Sequence, residues 1–221
     1  MRWARFRPAD LVWFDDGPRT RTLVVDASGQ VLTGRMPRVG TIAATPGGAP
    51  GPQLRELLGD LPARERFAIL RRVMDSGESQ AFFELLDGVR QRTRIFAAEP
   101  GSFTGIDRAA LMVSRPDVHE VADGSPRLPT LATATFGTLE VLSSRELEVL
   151  RLIVRFGSTK AVALHLSRSG KTVENQIQSM HRKLNVSTRA ELVRVACDAG
   201  LLAFSDHEWS SILASRGNER I

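Results

Sequence analysis

Between residues 142 and 202 the apolar positions recur with helical spacing in four short blocks separated by small or polar residues. Val149, Leu150, Ile153 and Val154 form the first stripe. Ser143 stands three residues before Glu146, the spacing at which each side chain caps the other's backbone N–H, and Gly157 is placed to end the helix. A second short helix over 160–166 turns Val162, Ala163 and Leu166 inward behind a Ser158 or Thr159 cap, and Ser167-Arg168-Ser169 makes a tight turn. The third, 171–184, places Val173, Ile177, Met180 and Leu184 at i, i+4, i+7 and i+11. Glu174, Asn175, Gln178, Arg182 and Lys183 fall on its other faces. The fourth follows Ser187 or Thr188, faces Leu192, Val193, Ala196 and Cys197 inward, and stops at Gly200. From residue 205 a further short helix gathers Trp209, Ile212 and Leu213 on one side, a face expected to pack on its own domain.

Ahead of this run the pattern changes to that of strands and turns. Residues 22–26 and 30–32 are β-rich runs around Ala27-Ser28-Gly29, a hairpin signal. TPGGAPGP at 45–52 can be only loop. A helix is predicted over 62–76 with Phe67, Leu70, Val73 and Met74 on one face and Gly77 as its C-cap. Strands are predicted over 80–86, 92–98 and 109–115, the first two joined by an Asp87-Gly88 turn. Residues 116–138, rich in Pro, Gly, Ser and Thr, read as a linker. The predicted organisation is an α+β domain over 1–116, a linker over 117–138 and an all-α domain over 139–221.

Charge sharpens the picture. The 142–202 segment holds ten Lys/Arg against five acids, and the rest of the chain balances at 20 against 20, so the whole net charge of +5 sits in the helical run. A localised basic excess on a compact helical unit is the footprint of a polyanion binder. Apolar runs such as LVV at 23–25 and LIV at 152–154 fall far short of the roughly 18 to 20 residues that span a bilayer, so no membrane partner is expected. The N-terminal MRWARFRPADLVWF lacks a continuous apolar core and cleavage site, and the single cysteine, Cys197, cannot form an internal disulfide; both suit a cytoplasmic protein. Cys197 is read as a small buried hydrophobe in the fourth helical stripe.

The geometry of two short helices joined by a three- to four-residue turn, the second longer and polar outside, is that which lays a helix in a major groove. The segment resembles the LuxR/NarL (GerE-type) helix-turn-helix in its LSSRELEVLRL opening, its Lys160 to Ala163 second helix, its Ser169-Gly170-Lys171-Thr172-Val173 start of the third, its Arg182 to Val186 close and its Ser187 to Ala196 final helix. Ala161, Arg168, Gly170 and Gln176 depart from that pattern, standing where Glu, an apolar residue, Glu and His are usual. The N-terminal order of hairpin, helices and three-strand meander, with VVDASGQVL and VMDSGESQAFFELLDGVRQRTRIFAAEP, resembles a PAS-type sensory domain.

Together these imply a DNA-binding transcriptional regulator: a PAS-like sensory or dimerising α+β domain followed by a four-helix LuxR-type domain. Phosphate contacts are expected from Ser158, Lys160, Ser169, Lys171, Thr172, Arg182 and Lys183, with backbone N–H groups at the start of the third helix. The resemblance places base reading on Glu174, Asn175 and Gln178; by donor and acceptor geometry Asn175 or Gln178 favours adenine and Glu174 accepts from cytosine N4. Double-stranded DNA is the expected partner, with a homodimer matching two half-sites, the fourth helix as one dimer contact, and RNA polymerase as a further candidate. The alternative is a protein–protein regulator with a degenerate helix-turn-helix, favoured by Ala161, Arg168 and Gln176.

Other chemistries fit poorly. Gly170-Lys171-Thr172 ends like a phosphate-binding loop, but His165 stands where that loop needs Gly. His165 and His181 lack partners at metal spacing, and no catalytic constellation stands out, so neither metal, cofactor nor enzymatic activity is expected. A phosphorylation receiver needs a lysine, and residues 1–142 contain none. An acyl-homoserine-lactone pocket calls for Trp, Tyr and Asp together, but the chain has no tyrosine and its tryptophans are Trp3, Trp13 and Trp209. Asp15-Asp16 reads as a solvated turn, and His119 as part of the linker.

Overall fold

The computed structural model describes residues 5–7, 19–37, 40–42, 51–118 and 128–218. Trp3, Trp13, Asp15, Asp16, His119 and most of the 45–52 loop lie outside the described residues. The chain divides into two compact units. One comprises the residues up to Glu84 with Gln91–Pro116 and Leu128–Thr133; the other comprises Leu85–Arg90, Asp117–Arg127 and Ala134–Ile221.

The first unit is a curled, mostly antiparallel sheet with two helices. Its strands are β1 (Arg5–Phe6), β2 (Arg21–Asp26), β3 (Val31–Met36), β4 (Gly40–Ile42), β5 (Gln80–Leu86), β6 (Val89–Ala98) and β7 (Ala109–Pro116). The order is β6, β7, β2, β3, β4, with β5 also on β6 and β1 running parallel to the far end of β6. The predicted hairpin forms as β2 and β3, its turn fixed by Asp26, whose Oδ1 accepts the N–H groups of Ser28 at 2.8 Å and Gln30 at 2.9 Å. A register shift at Val24/Val25 bends the pair. β5 has the predicted bounds, whereas β6 starts at Val89 rather than at 92, because Asp87 and Gly88 turn the chain within two residues (φ 53° and 75°).

Helices α1 (Leu54–Leu58) and α2 (Asp60–Ser76) follow the hairpin. The predicted α2 face is rotated: Leu70 and Val73 are buried, but Phe67 and Met74 are only half-buried, and Ala63 and Arg66 are inside. Arg66 is drawn in by a counter-charge. Its Nε donates to Glu84 Oε2 at 2.6 Å, its Nη1 donates to Pro62 O at 2.9 Å, and Glu84 also accepts from Thr93, which pairs with Ser114 at 2.7 Å. All four side chains of this network are fully buried, as such charges must be only when paired.

The second unit is helical: α3 (Ser144–Phe156), α4 (Thr159–His165), α5 (Gly170–Leu184), α6 (Arg189–Asp198) and α7 (Asp206–Asn218), with 3-10 turns at Gly137–Val141 and Leu201–Ala203. The four predicted helices form within a residue or two of their expected bounds, because their caps are local. Ser143 and Glu146 make the reciprocal capping box, Ser158, Ser169 and Thr188 cap α4, α5 and α6, and Gly157 closes α3 at φ 68°. One core joins Leu85, Phe136, Leu139, Leu147, Leu150, Val162, Val173, Met180, Leu192 and Ala196 to Trp209 and Ile212. The tail helix α7 therefore packs on its own unit as a fifth helix. Arg151 holds it there, donating to Leu201 O at 3.2 Å, Phe204 O at 2.7 Å and Asp206 Oδ1 at 2.7 Å.

Two further expectations change. Cys197 is exposed rather than buried, and Val193 is half-buried, because α6 presents Leu192 and Ala196 to the core and rolls Cys197 outward. From residue 128 onward the expected linker runs along β5: Leu131 N–H donates to Phe83 O at 2.8 Å and Thr135 N–H to Leu85 O at 3.0 Å. Among the described residues no helix is long and apolar enough to cross a membrane.

Candidate nucleic-acid interface

The helix-turn-helix is α4, the turn Leu166-Ser167-Arg168, and α5. Val162 and Ala163 pin α4 to the core, and Val173 and Met180 pin α5, with Ile177 and Leu184 packed against them. In the turn, Leu166 N–H bonds to Val162 O at 3.0 Å and Arg168 N–H to Ala163 O at 2.9 Å. Ser167 adopts a left-handed φ of 52° between them. This closes the turn in three residues and starts α5 at a fixed angle.

With the 173, 177, 180 and 184 side locked, the opposite side of α5 is set by helical geometry. Lys171, Glu174, Asn175, Gln178 and Arg182 stand at i, i+3, i+4, i+7 and i+11, one continuous stripe, and all five are exposed. Among the described residues none of the five side chains makes a hydrogen bond or ion pair, so their donors and acceptors face solvent. Glu174, Asn175 and Gln178, the predicted base readers, are thus brought together, flanked by Lys171 at the start and Arg182 at the end. Lys160 is also exposed, in the first turn of α4.

The remaining predicted phosphate contacts have work within the protein. Ser158 Oγ accepts Ala161 N–H at 3.2 Å, and Ser169 Oγ accepts Thr172 N–H at 3.0 Å while pairing with Thr172 Oγ1 at 2.8 Å. Lys183 is turned toward α3, where its Nζ lies 2.7 Å from Glu146 Oε2. Burial by itself pushes the Glu146 carboxyl up, but the Lys183 ammonium, the Ser143 N–H and the hydroxyls of Ser179 and Ser143 outweigh it and hold the pKa at about 2. Lys183 and Glu146 thereby staple the end of α5 to the start of α3. Arg189 ties α6 to the α3–α4 turn, donating to Gly157 O at 3.0 Å and Thr159 Oγ1 at 3.2 Å.

Sequence reasoning missed these staples. Glu146 was legible as a cap, but its second partner lies 37 residues away, and no local spacing marks such a pair. Of the two helical histidines, His165 packs at a tilt against Phe156 with ring centroids 4.8 Å apart and His181 Nδ1 pairs with Val186 O at 2.9 Å. Among the described residues no group of three or more His, Cys, Asp or Glu is placed to hold a metal ion.

Comparison with known proteins agrees with this geometry. Residues 140–196 match the family described as bacterial regulatory proteins, luxR family. The chain is 42% identical over 64 residues to the transcriptional activator protein ExaE of Pseudomonas putida, covering 29% of this chain and 30% of that protein. It is 40% identical over 73 residues to the oxygen regulatory protein NreC of Staphylococcus carnosus, covering 33% and 34%. The match thus spans about a third of each curated relative. Among solved structures, a phage VqmA–DPO complex aligns over 89% of this chain and 90% of that one at 16% identity and a TM-score of 0.40. The C-terminal helices over 140–196 are a LuxR-type helix-turn-helix domain, and the chain has LuxR-family transcriptional regulators as homologues.

Proposed function

We propose that this protein is a cytoplasmic, sequence-specific DNA-binding transcriptional regulator that places α5 in the major groove of double-stranded DNA. The observation that carries this reading is the α5 stripe: five polar or charged side chains, exposed and unengaged, on a helix whose opposite side is fixed in the core. Asn175 and Gln178 have the amide geometry to pair with an adenine edge, and Glu174 accepts from cytosine N4. Lys171, Arg182 and Lys160 take phosphates on either side, joined by the backbone N–H groups at the start of α5. Lys183 contributes the ammonium protons not directed at Glu146, and Ser158, Ser169 and Thr172 contribute hydroxyls around the two helix starts.

The sheet unit is proposed as a PAS-like sensory or dimerising domain. Its support is topological: the first hairpin strand, β2, lies between its partner β3 and the last meander strand, β7, with the helices between hairpin and meander in sequence. A homodimer supplies two recognition helices for two half-sites, and RNA polymerase is a further proposed partner.

The test is a titration of the full chain with duplex DNA over a range of salt. Affinity should fall steeply as salt rises, and Lys160→Ala, Lys171→Ala and Arg182→Ala should each flatten the log–log slope by roughly 0.9. Affinity that is absent or indifferent to salt would favour a protein–protein regulator instead.

A further inference from the structure

The strands of the sheet unit gather arginines on one face of the sheet. Arg92 of β6 lies in register directly opposite Arg115 of β7, and the next pair on that face is Arg94 with Val113. Val113 pairs on with Thr22 of β2, and Thr22 with Arg35 of β3, so one row across four strands reads Arg94, Val113, Thr22, Arg35. Opposed residues share a face, and side chains alternate along each strand. The other face carries Thr93 and Ser114 and is the one that meets α2, through Glu84 and Arg66. The arginines are therefore on the side of the sheet turned away from α2. At the far end of this side Phe6, Phe103 and Ile106 pack against Val24, Phe96 and Leu111, whereas Arg92 and Arg94 are exposed.

The sheet itself gains nothing from this arrangement, because like charges directly opposite one another destabilise a strand pair. Among the strand residues of this face Asp26 alone is acidic, and it stands at the far end, opposite Ala109, holding the hairpin turn. Among the described residues neither the Arg92 nor the Arg94 side chain makes a hydrogen bond or ion pair; Arg94 lies over the Phe96 ring with its Cζ 5.7 Å from the centroid, which steadies the planar head. We propose that this face is a docking surface for an acidic amphipathic helix of a partner protein. Glutamates at i, i+3 and i+4 of a helix stand about 5 to 6 Å apart, close to the roughly 5 Å between opposed strand residues such as Arg92 and Arg115. Each guanidinium can hold a carboxylate through two parallel hydrogen bonds. Between Arg94 and Arg35 the row offers the methyl groups of Val113 and Thr22, which suit an aliphatic side chain of such a helix and give few donors to a run of phosphates. A second copy of this chain meeting the surface through the same face would set arginines against arginines. The surface lies within the sheet unit, and its reading does not rest on DNA binding by α5.

The test titrates the full chain with a synthetic helical peptide carrying glutamates at i, i+3, i+4 and i+7 and leucines between them, followed by fluorescence anisotropy, against the same peptide with glutamine for glutamate. The wild type should bind the glutamate peptide at least about tenfold more tightly than the glutamine one. Arg92→Gln with Arg94→Gln should abolish that preference, whereas Lys171→Ala, in the other unit, should keep it. The double variant should bind duplex DNA as the wild type does and, relieved of the like-charge pair, should unfold at a temperature no lower than the wild type. No preference in the wild type, a preference that survives the double variant, or one that Lys171→Ala removes overturns the proposal. So does a double variant that loses DNA affinity, which assigns the face to nucleic acid, or one that breaks a dimer in sedimentation, which assigns it to a second copy. A lowered unfolding temperature would show that the arginines serve the sheet alone and would overturn it too. DNA binding by the Lys171→Ala chain reads α5 separately, so the two readings fail independently.

Discussion

Glu146 has two roles: it caps α3 through the Ser143 N–H at 2.7 Å and receives Lys183 from α5 at the same distance. Its folded pKa of about 2 lies below the ordinary 4.5, so the stability it contributes is fully present above 4.5 and is lost as pH falls through about 2. Chemical denaturation of the wild type across that window should show the loss, and Glu146→Gln should lower stability at neutral pH by about 2 kcal/mol while flattening the acid limb. An acid limb unchanged by the substitution would mean that other carboxylates set it. Ser167 offers the opposite sign. A non-glycine residue at φ 52° is strained, so Ser167→Gly should raise stability by about 1 kcal/mol, read in the same assay. The sequence showed both residues in place, as a cap and as part of a turn, but the conformation of Ser167 and the second partner of Glu146 depend on how helices meet.

The helices of the second unit were legible almost to the residue, because caps, turn residues and stripe spacing are local and Ser143, Ser158, Ser169, Thr188 and Gly157 each announce a boundary. The burial of charge was not legible. Arg151 and Lys183 counted as part of the basic excess, yet both are committed to acceptors tens of residues away, and Arg66 interrupts an apolar stripe only because Glu84 lies opposite. For the same reason the 128–136 segment, with the composition of a linker, is an edge along β5: backbone pairing leaves little mark on composition. Arg151 tests how α7 is held. Arg151→Ala leaves the carbonyls of Leu201 and Phe204 without its guanidinium and should cost about 3 kcal/mol, with faster exchange in α7 than in α4. Uniform loss across the unit would show that Arg151 supports the core as a whole and not the tail.

On the scale of the molecule, a sheet unit is followed in the chain by a helical unit whose residues 142–202 hold ten Lys/Arg against five acids, and one side of α5 in that unit is exposed. The change from strand to helix period marks this division in the sequence. The sequence did not show that Leu85–Arg90 belongs with the helices, since a strand's ownership is decided by packing at its end. The proposed function requires that the α5 stripe read bases rather than merely attract phosphate. The most direct measurement compares affinities of the full chain for a fragment selected from the source genome and for random duplex, in the wild type and in Asn175→Ala, Gln178→Ala, Glu174→Ala and Lys171→Ala. Asn175→Ala and Gln178→Ala should each cost ~1 to 3 kcal/mol on the selected site and little on random DNA, and Glu174→Ala should lose discrimination while binding random DNA equally or more tightly. Lys171→Ala should weaken both about equally. Parallel loss on both DNAs for Glu174, Asn175 and Gln178 alike would contradict base reading by α5, because this face would then not be the reader.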